Sequence, residues 1–169
     1  MSEGTSWHVA QLNIGRMKAP PEDPLIAEFM AALDPINALA DAAPGFVWRL
    51  QTEDGNATAI RPYEDELMLV NMSTWETVEE LADFVYRTLH RDVMVRRREW
   101  FEKMDELFTV LWWVPAGHVP SVDEAKERLE RLRAEGPTPE AFTFRHAFPP
   151  PDAPHPSEPS WSDAECPTT

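Results

Sequence analysis

Phe108 to Val114, FTVLWWV, carries a single hydroxyl and no charge. A run so rich in β-branched and aromatic residues reads as a strand, and side chains alternate between the two faces of a sheet. A strand that is apolar on both faces must be covered on both, so the chain has to supply cover for two sides of a sheet and this run is expected to be a central strand. The most apolar stretch, Val110 to Val114, is also far short of the roughly 20 residues that a helix needs to cross a bilayer, and no segment is expected to span a membrane.

The remaining elements follow from alternation, caps and turn residues. His8 to Ile14, HVAQLNI, predicts a first strand with Val9, Gln11 and Asn13 on one face and His8, Ala10, Leu12 and Ile14 on the other. Asp23-Pro24 and Asp34-Pro35 each set a capping carboxylate before a proline suited to a first helical position, which predicts two helical pieces, about Pro24 to Leu33 and Pro35 to Ala42. Pro44-Gly45 ends the second. Phe46 to Gln51 predicts another strand, the Glu53-Asp54-Gly55-Asn56 turn signal and the polar stretch Ala57 to Glu66 follow, and Leu67 to Ser73 predicts a third strand antiparallel to the second. Thr77 and Glu80 have capping-box spacing ahead of Leu81, Val85 and Leu89, so an amphipathic helix ending near His90 is expected. A further helix, about Val93 to Lys103, precedes the apolar strand. Ser121 and Glu124 cap another helix, striped by Ala125, Leu129 and Leu132 and closed by Gly136-Pro137, and Phe142 to Arg145 is read as a short final strand.

The order β-α-β-β-α-β with an extra C-terminal helix and strand is the split βαβ arrangement of ferredoxin-like folds, an α+β class with an antiparallel sheet. Helices on one face leave the other to be buried, and a second copy of the chain is economical cover, so a homodimer is expected.

A length of 169 residues suits one domain, placed at residues 1–148. Pro149 to Thr169 holds seven of the seventeen prolines and no Lys or Arg, and is read as a disordered or loosely docked tail in which Trp161 is the one residue able to anchor. Thirty acidic residues against fifteen basic ones give −15 at pH 7, which disfavours nucleic acid and anionic lipid as partners. The first eight residues lack the basic and apolar regions of a secretory signal, and a single Cys166 makes no internal disulfide, so a cytoplasmic location is expected.

Asn13, Asn71 and Ser73 are polar residues in strands where apolar ones belong, and burying them unpaired would cost roughly 1 to 3 kcal/mol each. They either bond neighbouring protein groups or line a pocket and orient a ligand. His90, after the stripe of the long helix, is the candidate general base or proton shuttle, with a C-terminal capping role as the plainer alternative. His8 and His118 compete with it. His118 stands in the VPAGHVP connection, either at a pocket mouth or bracing the loop, while His146 and His155 are expected to be exposed. Trp112 and Trp113 fall on opposite faces of their strand, so at most one, taken as Trp112, walls a pocket for a planar ligand, and core packing is the alternative. Arg87, Arg91, Arg96, Arg97, Arg98 and Lys103 concentrate the basic charge; they either pair with Asp92, Glu99 and Glu102 on a solvated face or, at Arg97, receive an anionic ligand group. No Cys/His cluster, HExxH, phosphate-loop or GxGxxG sequence is present, and no metal site is expected.

From about His8 to Phe148 the segments HVAQLNIGRMKAP, ALDPINALAD, PGFVWRLQ, LVNMSTWE, FVYRTLH, RRREWF, LWWVPAGHVP, EAKERLERLR and GPTPEAFTF resemble the bacterial family catalogued as domain of unknown function 3291. The resemblance implies a dimeric α+β barrel like that of the antibiotic-biosynthesis monooxygenase-like proteins, with a pocket between sheet and helices. It also implies a range of chemistry, including cofactor-independent oxygenation or isomerisation of a small, partly aromatic metabolite; the alternative reading is a non-catalytic ligand-binding or stress-associated dimer in which the polar groups are structural. Haem-degrading relatives combine a strand asparagine with a tryptophan and a histidine on a later helix. Asn13, Phe84 and His90 resemble that set loosely, with Phe84 in place of the tryptophan and the histidine at a different spacing, so the cofactor is left open between none and, as the runner-up, haem.

Overall fold

Trp7–Arg16 forms β1, the strand to which the others are added. The computed structural model describes residues 6–51, 63–87 and 90–152, with the backbone alone at His90. β3 (Met68–Trp75) pairs along one edge of β1 from Val9↔Trp75 to Arg16↔Met68, and β4 (Thr109–Pro115) along the other from Trp7↔Pro115 to Asn13↔Thr109. β2 (Phe46–Arg49) joins the far side of β3, giving the antiparallel order β2-β3-β1-β4. With α1 (Ala27–Ala42) between β1 and β2, and α2 (Val78–Arg87) between β3 and β4, this is the ferredoxin-like α+β topology expected from the element order.

The alternation of β1 separates two cores. Ala10, Leu12 and Ile14 face α5 (Val122–Glu135) together with Val70, Met72, Val110, Trp112 and Val114, and Ala125, Leu129 and Leu132 of the helix fill that layer with no residual exposure. The Ser121 hydroxyl accepts from Glu124 N–H at 3.1 Å to start α5, and Gly136 closes it at φ 75°, a conformation that glycine adopts without a Cβ penalty. Val9, Leu111 and Trp75 face the other way, packed with residues of α1 and α2, while Leu69 joins a cluster that holds Val93 of the short helix α3 (His90–Val95) and Trp100 of the short helix α4 (Arg97–Trp100). The sheet is therefore covered on both faces within one chain. α5 thus supplies from within the chain the cover for the second face.

Four element expectations change. β4 is an edge strand rather than a central one, yet it is doubly covered as its composition demands, with Val110, Trp112 and Val114 under α5 and Leu111 on the opposite side. The two helical pieces around Pro35 are a short 3-10 turn, Pro24–Ile26, capped by the Asp23 carboxylate on Leu25 N–H at 2.8 Å, and one continuous helix α1 that runs through Pro35. Pro35 deprives only the Ala31 carbonyl of its partner, on the exposed side of the helix, while the inward stripe Phe29, Leu33, Ile36, Ala40 continues across it. The expected final strand is reduced to one bridge, in which Phe142 exchanges two 2.8 Å backbone bonds with Leu111. The helix expected over Val93 to Lys103 is instead the pair α3 and α4. The Glu53 to Asn56 turn, Cys166, His155 and Trp161 lie outside the described residues.

The end of β1 is tied by charge. Arg16 Nε meets Asp65 at 2.6 Å and its Nη1 meets Glu102 at 2.7 Å, while Leu67 N–H donates to the same Asp65 carboxylate at 2.9 Å. The Leu67 N–H, and then the Arg16 guanidinium, hold the Asp65 carboxyl below its usual range. A carboxylate depressed in the folded state contributes stability that is present above its unfolded pKa and lost as pH falls through the folded one. Asp65→Asn is accordingly expected to lower the urea midpoint at pH 7 and to flatten the loss of stability below about pH 4, the reference carboxylate range. Leu129→Ala, which empties a fully buried position between α5 and the sheet, should cost about 2 to 5 kcal/mol in a urea titration.

Candidate functional site

The helix-facing side of the sheet is not filled to contact. Between it and the α1–α4 layer lies a cavity of about 660 Å³. Its sheet wall draws on all four strands, with Gln11, Asn13 and Gly15 from β1, Arg49 from β2, Leu69, Asn71, Ser73 and Trp75 from β3, and Thr109 from β4. Antiparallel register sets Gln11 opposite Ser73 and Asn13 opposite both Asn71 and Thr109, so the polar residues meet in one band. α1 contributes Phe29, Ile36 and Asn37 to the opposite wall, α2 contributes Leu81 and Phe84, and Tyr86, Asp105, Glu106 and Leu107 stand exposed at the rim.

Within the band Gln11 Nε2 donates to Asn71 Oδ1 at 2.7 Å and to Ser73 Oγ at 2.9 Å, and the Trp75 indole N–H donates to the same Ser73 Oγ at 2.9 Å. Ser73 thus accepts twice and keeps its own O–H as a donor. Asn13 Nδ2 donates to Thr109 Oγ1 at 2.8 Å, which leaves Asn13 Oδ1 as an acceptor. Gln11 and Ser73 are each only 8% exposed, and these bonds meet the requirement that buried polar groups be paired. The band satisfies itself internally and still presents unused donors and acceptors to the cavity.

The ends of the cavity differ. At one end Trp75 stacks on Phe84 with ring centroids 5.2 Å apart, and Phe46 meets the indole edge-on at 5.4 Å. At the other, Arg97 of α4 donates from Nη2 to the Ile14 carbonyl at 3.0 Å, with its guanidinium carbon 4.4 Å from the Phe108 ring centre and 5.0 Å from that of Phe101. Gly15 makes room for this: a Cβ there would sit 2.8 Å from the Phe101 ring and 2.9 Å from Arg97 Nη2. Burial lowers the Arg97 pKa from its ordinary value. The segment expected as a final strand closes one side, where Thr143, Phe144 and Arg145 reach the cavity, Phe144 packs edge-on against Tyr86 at 5.5 Å, and the Trp113 indole N–H donates to the Phe148 carbonyl at 2.9 Å.

Five of the residues singled out from sequence, Asn13, Asn71, Ser73, Phe84 and Arg97, line this one cavity. Trp112 does not. It is fully buried under α5 on the opposite face, and Trp75 supplies the indole at the cavity instead. His118 is also elsewhere, exposed in the β4–α5 loop with Nε2 3.0 Å from Glu124, in the loop-bracing arrangement. The His90 side chain lies outside the described residues; its backbone opens α3, whose Val93 and Met94 reach the cavity. The basic run divides as well: Arg96 pairs with Glu99 and Glu28 and Arg87 with Asp83, whereas Arg97 turns inward. Gln11 and Thr109 are legible as polar residues on the inward face of β1 and in an otherwise apolar strand; Gly15 has no such signal. Among the described residues no group of three or more His, Cys, Asp or Glu is placed to hold a metal ion, and no helix is long and apolar enough to cross a membrane.

Ser73→Ala removes the common acceptor of two buried donors and leaves the Trp75 indole N–H unpaired. The expected cost is about 1 to 3 kcal/mol, read by thermal unfolding, with a change in tryptophan emission.

A family model described as domain of unknown function 3291 matches residues 8–158. No curated protein matches by sequence. Among solved structures the chain is similar to a Nitrosomonas europaea protein of unknown function, NE2512, at 14% identity and TM-score 0.42 over 70% of this chain and 99% of that one. It is also similar to SnoaB, a cofactor-independent oxygenase from Streptomyces nogalater, at 15% identity and TM-score 0.41 over 66% and 95%. A third neighbour, an antibiotic biosynthesis monooxygenase candidate from Nitrosomonas europaea, is 13% identical with TM-score 0.44 over 72% and 100%.

Proposed function

The chain belongs to that family, and since its description names no activity, we propose from the cavity itself that the protein binds a small, partly aromatic organic molecule between its sheet and its α1–α4 layer. The observation that carries this reading is the convergence of an apolar, aromatic-ended space of about 660 Å³ with a band of amides and hydroxyls from three strands. A cavity of this size falls in the range of small-molecule sites, which are mostly apolar with a few placed polar groups.

Turnover is the finer part of the reading. Gln11, Asn13, Asn71 and Ser73 orient the molecule, and His90 moves a proton to or from it, which is the least equipment that oxygenation or isomerisation of an activated ring requires. Binding without turnover is the competing case. Native mass spectrometry of the untagged protein is expected to show a released small molecule in stoichiometric amount, and an empty protein that also fails to bind any aromatic probe would overturn the proposal. Asn37→Trp, which fills the α1 wall, should weaken binding of the recovered molecule at least tenfold in calorimetry while far-UV circular dichroism stays unchanged. His90→Ala separates the two cases: loss of turnover with binding kept supports proton transfer, while unchanged turnover removes His90 from the chemistry. A Soret shift on haemin titration that disappears in the same variant would favour haem as the occupant.

A further inference from the structure

Among the described residues of the basic run, Arg97 is the cation that faces inward, and the way it is held sets it apart from its neighbours. Arg96 and Arg87 are matched to carboxylates, and Arg49, which also reaches the cavity, is clamped by Asp41 at 2.8 and 3.2 Å. For Arg97 the partners among the described residues are one backbone carbonyl and two aromatic rings, none of them an anion. A guanidinium carries five N–H donors in a planar fork, and a single bond to Ile14 leaves an edge of that fork unused at the cavity wall. The rings of Phe108 and Phe101 fix its plane, and the absence of a Gly15 side chain lets it lie against β1. A cation withdrawn from water, oriented and left without a countercharge is a site waiting for one.

Resting on the cavity reading above, we infer that the ligand is an aromatic anion, a carboxylate or ionised hydroxyl whose oxygens sit on the free edge of Arg97 while its ring system reaches toward Trp75 and Phe84. The register supplies the length. Gly15 beside Arg97 and Gln11 beside Ser73 are four residues apart on β1, about 13 Å at the usual strand rise. Between them Asn71 and Ser73 offer donors and Asn13 an acceptor, so a ligand spanning the two ends passes the polar band. The chain's charge of −15 works against any anion at long range, so selectivity for one must come from a local feature.

The test compares two near-isosteric probes, 2-naphthoate and 2-naphthamide, by isothermal titration calorimetry on the full chain at pH 7. The wild-type protein is expected to bind 2-naphthoate at least tenfold more tightly than the amide, with the preference shrinking as salt rises. Arg97→Met should abolish the preference by weakening the acid and sparing the amide, and Arg97→Lys should retain part of it. Circular dichroism verifies folding, and should Arg97→Met not fold, Gly15→Ala is the second variant, expected to shrink the preference by displacing the guanidinium. Equal binding of the two probes by the wild type, or an unchanged preference in a folded Arg97→Met, overturns the anion assignment and leaves the cavity reading standing. Failure of both probes to bind the wild type overturns the anion assignment, and joined to an empty protein in native mass spectrometry and no binding of any other aromatic probe it overturns the cavity reading as well.

Discussion

The strict two-residue period of β1 is the constraint on which the rest of the molecule depends. Because β1 lies between β3 and β4, its inward and outward sets are continued by both neighbours, and the register decides which side chains of three strands share a face. A slip of one residue would carry Gln11 and Asn13 under α5, where an apolar layer has no partners for them, and would bring Leu12 and Ile14 to the cavity. The sealed layer beneath α5 and the polar band are thus two products of one pairing. The first pins the second, since the cost of opening the α5 core holds the register that assembles the band.

Much of this fold is legible in the amino-acid sequence. The alternation of His8 to Ile14, the caps at Asp23, Thr77 and Ser121, and the apolar run ending at Val114 are local signals backed by local physics, and the elements follow them. The features that the sequence hides depend on distant parts of the chain. Nothing in Asp34-Pro35 distinguishes it from Asp23-Pro24; only the inward stripe from Phe29 to Ala40, which needs a surface to pack on, favours continuing the helix. Composition shows that Phe108 to Val114 must be covered twice but cannot name the cover, which on one face is α5.

The site divides along the same line. Asn13, Asn71 and Ser73 are visible as polar residues out of place in strands, and strand pairing brings them together. The choice between Trp112 and Trp75 turns on which sheet face is open. Arg97 looks in sequence like one of several arginines, and only the Ile14 carbonyl, the two phenylalanine rings and the missing side chain at Gly15 show that it turns inward while Arg96 and Arg87 do not.

The Phe142 bridge on Leu111 has a further consequence. FTVLWWV combines high β-propensity with no charge, the composition of segments that stack into cross-β aggregates when their edge is free, and in this sheet it is an edge. Phe142 takes both outward backbone groups of Leu111, and the Trp113 indole bond to Phe148 lays the following residues across the same flank. The segment that closes the cavity is therefore also a guard on the most aggregation-prone edge of the sheet. Its retention is a matter of colloidal survival for the chain as much as of ligand access.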